Sequence, residues 1–205
     1  MSKAKYGKKI FSIFEIYNIA VKAFRSIKYL KRGKKSGIFD DKFQERIMLA
    51  VTNVNKCAMC SYAHTEMALK AGLNQEEINA FVEGDFPDIP DEQVKAVLFG
   101  QHYADMRGKP KREMWDEILK EYGKNLSYCI LAAIRIMMFG NAIGIVIGSI
   151  RNRFKGKKGD PRSNVFYEIM FVLLLLPILL ISPLQALVMD LFRMPVINRF
   201  SPSES

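Results

Sequence analysis

The stretch "FQERIMLAVTNVNKCAMCSYAHTEMALKAGL", residues 43–73, holds two of the three cysteines and one of the two histidines in a chain of 205 residues. Apolar residues recur every four positions from Phe43 to Val51, which is the spacing of one face of an α-helix. The asparagines around Asn55 predict a break, and Gly72 predicts the end of a second helix. The stretch therefore predicts two consecutive helices, with the cysteine pair in the first turn of the second one.

Helical patterns continue on both sides of this stretch, and no segment between residues 38 and 150 alternates as a strand would. An amphipathic helix is predicted over residues 10–30, and further helices begin after Asn74 and at Asp91. A long apolar helix is predicted over residues 128–150. The predicted fold class is therefore all-α, a bundle of six or seven helices.

The composition divides the chain into four parts. Residues 1–36 form a basic amphipathic arm, residues 37–150 the helical body, residues 151–162 a basic linker and residues 163–205 a hydrophobic C-terminal segment. Of the 31 Lys and Arg residues, 11 lie in the first 35 positions, where Glu15 is the only acid. Such an excess favours an acidic partner surface, either anionic lipid or nucleic acid. Nucleic acid is the less favoured partner, because no aromatic residues are interleaved with the bases in "KRGKKSG" as a stacking surface requires.

The C-terminal segment contains an uncharged apolar run. Residues 169–189 carry no charged side chain over 21 positions, which is long enough to cross a bilayer. Pro177 and Pro183 are expected to kink this run or split it. Insertion into a membrane, burial within an oligomer and an interfacial position all stay open. Three cysteines and no convincing signal peptide indicate a reducing, cytoplasmic location, at the inner face of the membrane if the run inserts.

Cys57 and Cys60 form a C-x-x-C pair, and His64 follows one helical turn later. Because positions i, i+3 and i+7 share a helix face, the two sulfurs and the imidazole are expected to converge. A haem tether is excluded, because Ser61 rather than a histidine follows the second cysteine. A zinc site lacks an obvious fourth ligand, and a buried structural pair of thiols is the remaining alternative.

Thiol chemistry is the favoured interpretation of the pair. The thiolate form of a cysteine is stabilised at a helix N-terminus and within a C-x-x-C motif. His64 is close enough to Cys60 in sequence to take its proton and return it. Glu45 lies twelve residues before Cys57, and a chain reversal at the break would bring its carboxylate beside the imidazole as an orienting group.

The spacing E-x11-C-x2-C-x3-H resembles the alkylhydroperoxidase D branch of the carboxymuconolactone decarboxylase superfamily. The later stretches "MALKAGLNQEEINAFVEGD", "DEQVKAVLFGQHYAD" and "FGNAIGIVIG" are similar to that family's layout. The resemblance covers about residues 38–150. The sequence departs from the family pattern at Met59, where alkylhydroperoxidase D proteins often carry a second histidine. General disulfide reductase chemistry therefore stays open beside a peroxidase, whereas the decarboxylase branch lacks the cysteine pair.

The resemblance implies a bundle of the alkylhydroperoxidase D type, with subunits assembled as trimers or hexamers and with no metal or bound cofactor. It implies that Cys60 attacks a hydroperoxide, that Cys57 then closes a disulfide, and that Glu45 and His64 relay the proton. A dithiol protein, thioredoxin-like or lipoyl-type, would reduce the pair again. Helix-dipole reasoning instead favours Cys57 as the more acidic thiol, so the order of the cysteines stays open. The alternative function is a membrane-associated, non-enzymatic redox sensor or scaffold.

Overall fold

The computed structural model describes residues 9–85, 89–197 and 199–201 of the chain. Within those ranges it contains seven α-helices and no strand, so the all-α prediction is confirmed. The ends of the predicted arm and of the C-terminal segment, residues 1–8 and 202–205, lie outside the described ranges. The helices are α1 Ile13–Ser36, α2 Asp41–Asn55, α3 Ala58–Ala71, α4 Gln75–Glu83, α5 Asp91–Asp105, α6 Arg112–Phe154 and α7 Val165–Leu191.

Short polar residues fix where several helices begin. Ser12 and Glu15 form a reciprocal capping box at the start of α1, which satisfies two backbone N–H groups that have no partner inside the helix. The Asn74 side chain accepts a hydrogen bond from the Glu77 backbone N–H at 2.7 Å, as predicted for α4. The Glu77 carboxylate does not complete the box, because Arg46 of α2 donates to it at 2.5 Å. This buried ion pair ties α4 to α2.

Helix α6 is the centre of the bundle. It bends at Gly123, whose φ of 64° and ψ of 167° are not helical, so a shorter helical run precedes the long apolar helix. Helices α1, α2, α3 and α5 pack around α6. Its residues Ile130, Ile134 and Val146 are fully buried. The long helix is thus the scaffold on which the other helices are positioned.

The C-terminal segment folds back along the N-terminal helix. Helix α7 packs mainly on α1, and the buried Arg25 guanidinium donates to the Asp190 carboxylate at 3.1 Å. Pro177 and Pro183 do not split α7, which is one continuous helix through both. Each proline removes only one backbone hydrogen bond. The remaining hydrogen bonds and the packing on α1 are sufficient to keep the helix continuous.

Two helices in the described ranges are long and apolar enough to cross a membrane, by length and composition alone. They differ in burial. The apolar window of α6 is 72% buried inside the fold, whereas that of α7 is only 22% buried. Burial of this kind is typical of a core helix, so α6 is accounted for by packing. The outward face of α7 is not covered by the described chain.

Candidate active site

The turn between α2 and α3 places the cysteine pair. Lys56 ends α2 in the left-handed conformation, with φ of 53°, and Cys57 is the N-cap of α3. Arg162, from the loop between α6 and α7, donates to the backbone carbonyls of Asn55 and Lys56 at 2.9 and 3.1 Å. The predicted break is therefore a tight turn whose free carbonyls are satisfied by a distant arginine.

Cys57 and Cys60 are joined by a disulfide, with their Cα atoms 5.3 Å apart. The Cys57 sulfur also accepts a hydrogen bond from the Cys60 backbone N–H at 3.3 Å. The Cys60 sulfur lies 3.6 Å from the Gly140 carbonyl oxygen of α6. Cys57 is 1% exposed and Cys60 is 7% exposed, so Cys60 is the more accessible of the two sulfurs.

Three glycines of α6 lie four residues apart and form the surface beneath the start of α3. Gly144 is in closest contact, since a Cβ atom there would be 2.5 Å from the Cys60 sulfur and 2.9 Å from the Cys57 sulfur. A Cβ at Gly148 would meet only Met59, at 3.7 Å. A G-x-x-x-G spacing lets helices approach closely. Here it allows the disulfide to lie directly against the α6 backbone.

A Gly144→Ala substitution is expected to force the start of α3 away from α6, because the Cβ distances are shorter than ordinary contacts. We expect it to lower the free energy of unfolding of the oxidised protein by about 1–3 kcal/mol relative to Gly148→Ala. Gly148→Ala is the matched control, since both changes give the same gain in helix propensity and only the first meets the sulfurs. Urea unfolding of both variants measures the difference, and equal stabilities would contradict it.

Glu45 and His64 are brought together across the two helices. The Glu45 Oε2 atom lies 2.7 Å from Nδ1 of His64. Glu45 is 2% exposed, and the Gln44 side-chain amide donates to its other oxygen at 3.3 Å. A carboxylate at Nδ1 favours the tautomer that carries the proton there, which leaves Nε2 with a free lone pair. His64 is one turn beyond Cys60 on α3, so the arrangement suits a base that serves that sulfur.

The other cysteine and histidine lie elsewhere. Cys129 is a buried free thiol on α6, 3.4 Å from the Tyr29 carbonyl oxygen, and burial raises the pKa of this thiol. His102 Nε2 accepts a hydrogen bond from the Lys111 backbone N–H at 3.0 Å, and burial lowers its pKa. Among the described residues, no three His, Cys, Asp or Glu side chains converge as metal ligands.

A disulfide at the start of one helix, with a Glu–His pair linking that helix to the preceding one, lies within a recognisable sequence segment. Residues 22–98 match the Carboxymuconolactone decarboxylase family. The match confirms the predicted superfamily, which includes enzymes, although it does not distinguish the alkylhydroperoxidase D branch. It covers a little more than a third of the chain, from within α1 to within α5. No curated protein and no solved structure matches the chain.

Gly144 lies against the two sulfurs and Arg162 bonds the turn before Cys57. Both come from outside this carboxymuconolactone decarboxylase segment, and the sequence analysis missed both. Gly144 was visible only as part of a glycine repeat in an apolar helix, a pattern with many structural uses. Arg162 had no local signal, because its acceptors are backbone carbonyls more than a hundred residues away. Neither glycine nor arginine is a nucleophile or a proton-transfer group here, so a search of the sequence for reactive residues does not select them.

Proposed function

We propose that the protein is a thiol-dependent peroxidase and disulfide oxidoreductase of the alkylhydroperoxidase D type. The observation that carries the proposal is the disulfide at Cys57 and Cys60 on the same helix as a histidine that is hydrogen-bonded to a buried carboxylate. A structural pair of thiols needs no such base. The E-x11-C-x2-C-x3-H spacing gives independent support, because a bare C-x-x-C is common and the spaced Glu and His are not.

The oxidative half of the proposed cycle begins with both cysteines reduced. His64 accepts the Cys60 proton at Nε2, and the thiolate attacks the terminal oxygen of the hydroperoxide. The S–O bond forms as the O–O bond breaks, and the alkoxide takes the proton and leaves as an alcohol. The Cys57 thiolate then attacks the sulfenic sulfur, so that the disulfide forms and water leaves. The two thiols supply both electrons.

The reductive half needs an external dithiol protein, thioredoxin-like or lipoyl-type. Its first thiolate attacks the more exposed Cys60 sulfur to form a mixed disulfide, and Cys57 leaves as a thiolate. The partner's second thiolate then attacks the partner sulfur of the mixed disulfide, which releases Cys60 and leaves the partner as a disulfide. The backbone N–H of Cys60 points at the Cys57 sulfur and would stabilise that negative charge, as would the N-terminus of α3. The low exposure of Cys57 and its position at the N-cap thus support a resolving and leaving role, and support Cys60 as the attacking thiol.

We also propose that α7 attaches the domain to the cytoplasmic face of a membrane. The support is its outward face, where large apolar side chains are more than half exposed, including Leu173, Leu180 and Leu187. Assembly into a trimer or hexamer, with the same face buried between subunits, is the alternative. A non-enzymatic redox sensor would share the disulfide and the attachment but would not turn over.

Turnover separates the enzyme from a sensor. With excess dithiothreitol, the wild-type protein is expected to consume cumene hydroperoxide catalytically, and Glu45→Gln is expected to lower kcat by about 10- to 100-fold with little change in KM. The loss in kcat arises because the amide that replaces the Glu45 carboxylate is neutral and cannot stabilise the protonated His64 imidazole as the carboxylate does. The rate at which cumene hydroperoxide is lost in the presence of dithiothreitol, measured over a range of peroxide concentrations, gives both constants.

The matched control is Glu66→Gln, which removes an exposed carboxylate from the same helix. It should leave kcat unchanged. If the wild-type protein forms its disulfide once and then stops despite the reductant, the sensor is the better description. If Glu45→Gln and Glu66→Gln have the same kcat, the proposed relay is wrong.

A further inference from the structure

A cleft of about 680 Å³ opens beside the disulfide, between the start of α3, the end of α6 and the loop that follows α6. Met59, Gly144 and Ile145 form part of its apolar surface. Gly144 is also the residue against which both cysteine sulfurs lie. The cleft therefore adjoins the redox pair at Gly144, and neither cysteine is among its lining residues.

The rim of this cleft is strongly basic. Five cationic side chains line it, and Asp160 is the one acid among its lining residues. Arg162 lies 2.8 Å from the Asp160 carboxylate. Burial alone would raise the pKa of that carboxyl, but the hydrogen bonds and charge of Arg162 hold its pKa below the ordinary value. The negative charge of Asp160 is thus compensated by Arg162, so it does not offset the positive charge of the rim. The five cationic residues are Lys56, Arg151, Lys155, Lys157 and Lys158.

The loop between α6 and α7, residues 155–164, is fixed beside the cleft. Its Arg162 is anchored on the carbonyls at the end of α2. The Asp160 backbone N–H donates to the Ser149 hydroxyl at 2.8 Å, and that hydroxyl donates to Glu168 of α7 at 2.7 Å. These bonds hold the lysines between Phe154 and Asp160 at the rim of the cleft. A cationic cluster so placed attracts anions to the site.

We propose that the cleft binds an anionic amphiphile, and that the preferred substrates are hydroperoxides that carry an acidic head group and an apolar chain. The inference rests on the proposed function. The rim holds the carboxylate or phosphate, and the apolar surface around Met59 and Ile145 holds the chain. The hydroperoxide is reduced to an alcohol and water by the two thiols of the pair, and the acidic group is unchanged. All but one of the rim cations lie beyond residues 22–98, so the family match does not supply them.

Binding can be tested without turnover by using oleate, which has the head group and the chain but no peroxide. We expect calorimetry with monomeric oleate to show saturable binding to the full chain. The triple variant Lys155→Glu, Lys157→Glu, Lys158→Glu should weaken this binding at least about tenfold, because three attractive charges become repulsive. The control is Lys31→Glu, Lys35→Glu, Lys120→Glu, which changes the net charge equally at exposed positions outside the cleft. Its affinity should stay within about twofold of the wild-type value.

Turnover then tests the substrate preference. Linoleate hydroperoxide should have a higher kcat/KM than its methyl ester, mainly through KM, and the cleft triple variant should remove that preference while the control triple keeps it. Vesicles identify the source of the anion. Binding to phosphatidylglycerol vesicles that the cleft triple variant weakens and the control triple keeps, without binding of free oleate, would assign a phospholipid head group rather than a free acid.

Two results would overturn the inference. One is equal affinity of oleate for the cleft and control triple variants; the other is the absence of binding to oleate together with equal binding of both triple variants to anionic vesicles. Failure of the proposed function looks different, because oleate would still bind while no hydroperoxide is consumed. Equal turnover of the acid and its methyl ester would leave the peroxidase intact and reject only the anionic preference.

Discussion

Replacing Cys60 by serine is expected to abolish dithiol-dependent turnover of hydroperoxide, with a loss of at least about 10³-fold. A serine hydroxyl is a far weaker nucleophile than a thiolate, and no second thiol can take its place. Cys57 is only 1% exposed, and Cys129 is a buried free thiol on α6. Initial rates with cumene hydroperoxide and dithiothreitol measure the loss.

The reciprocal variant tests the order of the two cysteines. Cys57→Ser should stop after one oxidation, leaving a sulfenic acid at Cys60 that a dimedone-type reagent labels and peptide mass spectrometry locates. Cys129→Ser is the control, since it removes a thiol that contacts the Tyr29 carbonyl rather than the pair, and it should turn over normally. A dimedone label on Cys57 in the Cys60→Ser protein would reverse the two roles.

The positions of the proposed site residues were predictable because they are encoded in sequence spacing. Glu45 lies in α2, which ends at Asn55, and a chain that reverses at Lys56 runs back beside it. Because Glu45 lies twelve residues before Cys57, its carboxylate can meet a histidine on the next helix. The 2.7 Å contact with His64 follows from local sequence and one turn. Any site made by two adjacent helices is accessible to this kind of inference.

The packing around the pair was not predictable from the same signals. Gly144 approaches the sulfurs because α6 crosses beneath α3, and crossing positions depend on the whole bundle. The path of α7 shows the same limit. Its two prolines predicted a kink or a split, and the structure has no split, with one helix from Val165 to Leu191. Local propensity was outweighed by packing on α1, where Phe171 and Ile178 are buried.

Charged substitutions on the outward face of α7 are expected to have a large effect on membrane attachment. The variant Leu173→Glu, Leu180→Glu, Leu187→Glu is expected to move the protein from the membrane fraction to the soluble fraction. These three residues are spaced by seven and are 65%, 60% and 68% exposed, so charges there leave the interior of the fold intact. A charge in the middle of a membrane span costs about 2.5–3.5 kcal/mol, so three charges on this face strongly oppose insertion. Fractionation at high salt screens the attraction of the basic arm and linker, which is about 1 kcal/mol per charge near an anionic surface.

Substitution is a cleaner test than truncation. Removing residues 163–205 would take Phe171 and Ile178 out of the core and leave the buried Arg25 without Asp190. A truncated protein that aggregates would then say nothing about membranes. The matched control is Met67→Glu, Val82→Glu, Leu98→Glu, which adds the same charge at apolar residues exposed on other helices. It should stay in the membrane fraction with the wild-type protein.

Ultracentrifugation of lysates with and without detergent, followed by size-exclusion chromatography, distinguishes the two uses of this face. Membrane attachment requires that the wild-type protein sediments, that detergent releases it, and that the α7 triple variant is soluble without detergent. Burial between subunits requires a wild-type protein that is already soluble as a defined oligomer, which the α7 triple variant breaks into monomers. A soluble wild-type oligomer would therefore reject the membrane proposal. It would also assign the exposed leucines to subunit contacts, because the same three charges oppose burial against a second copy of the chain as strongly as burial in lipid.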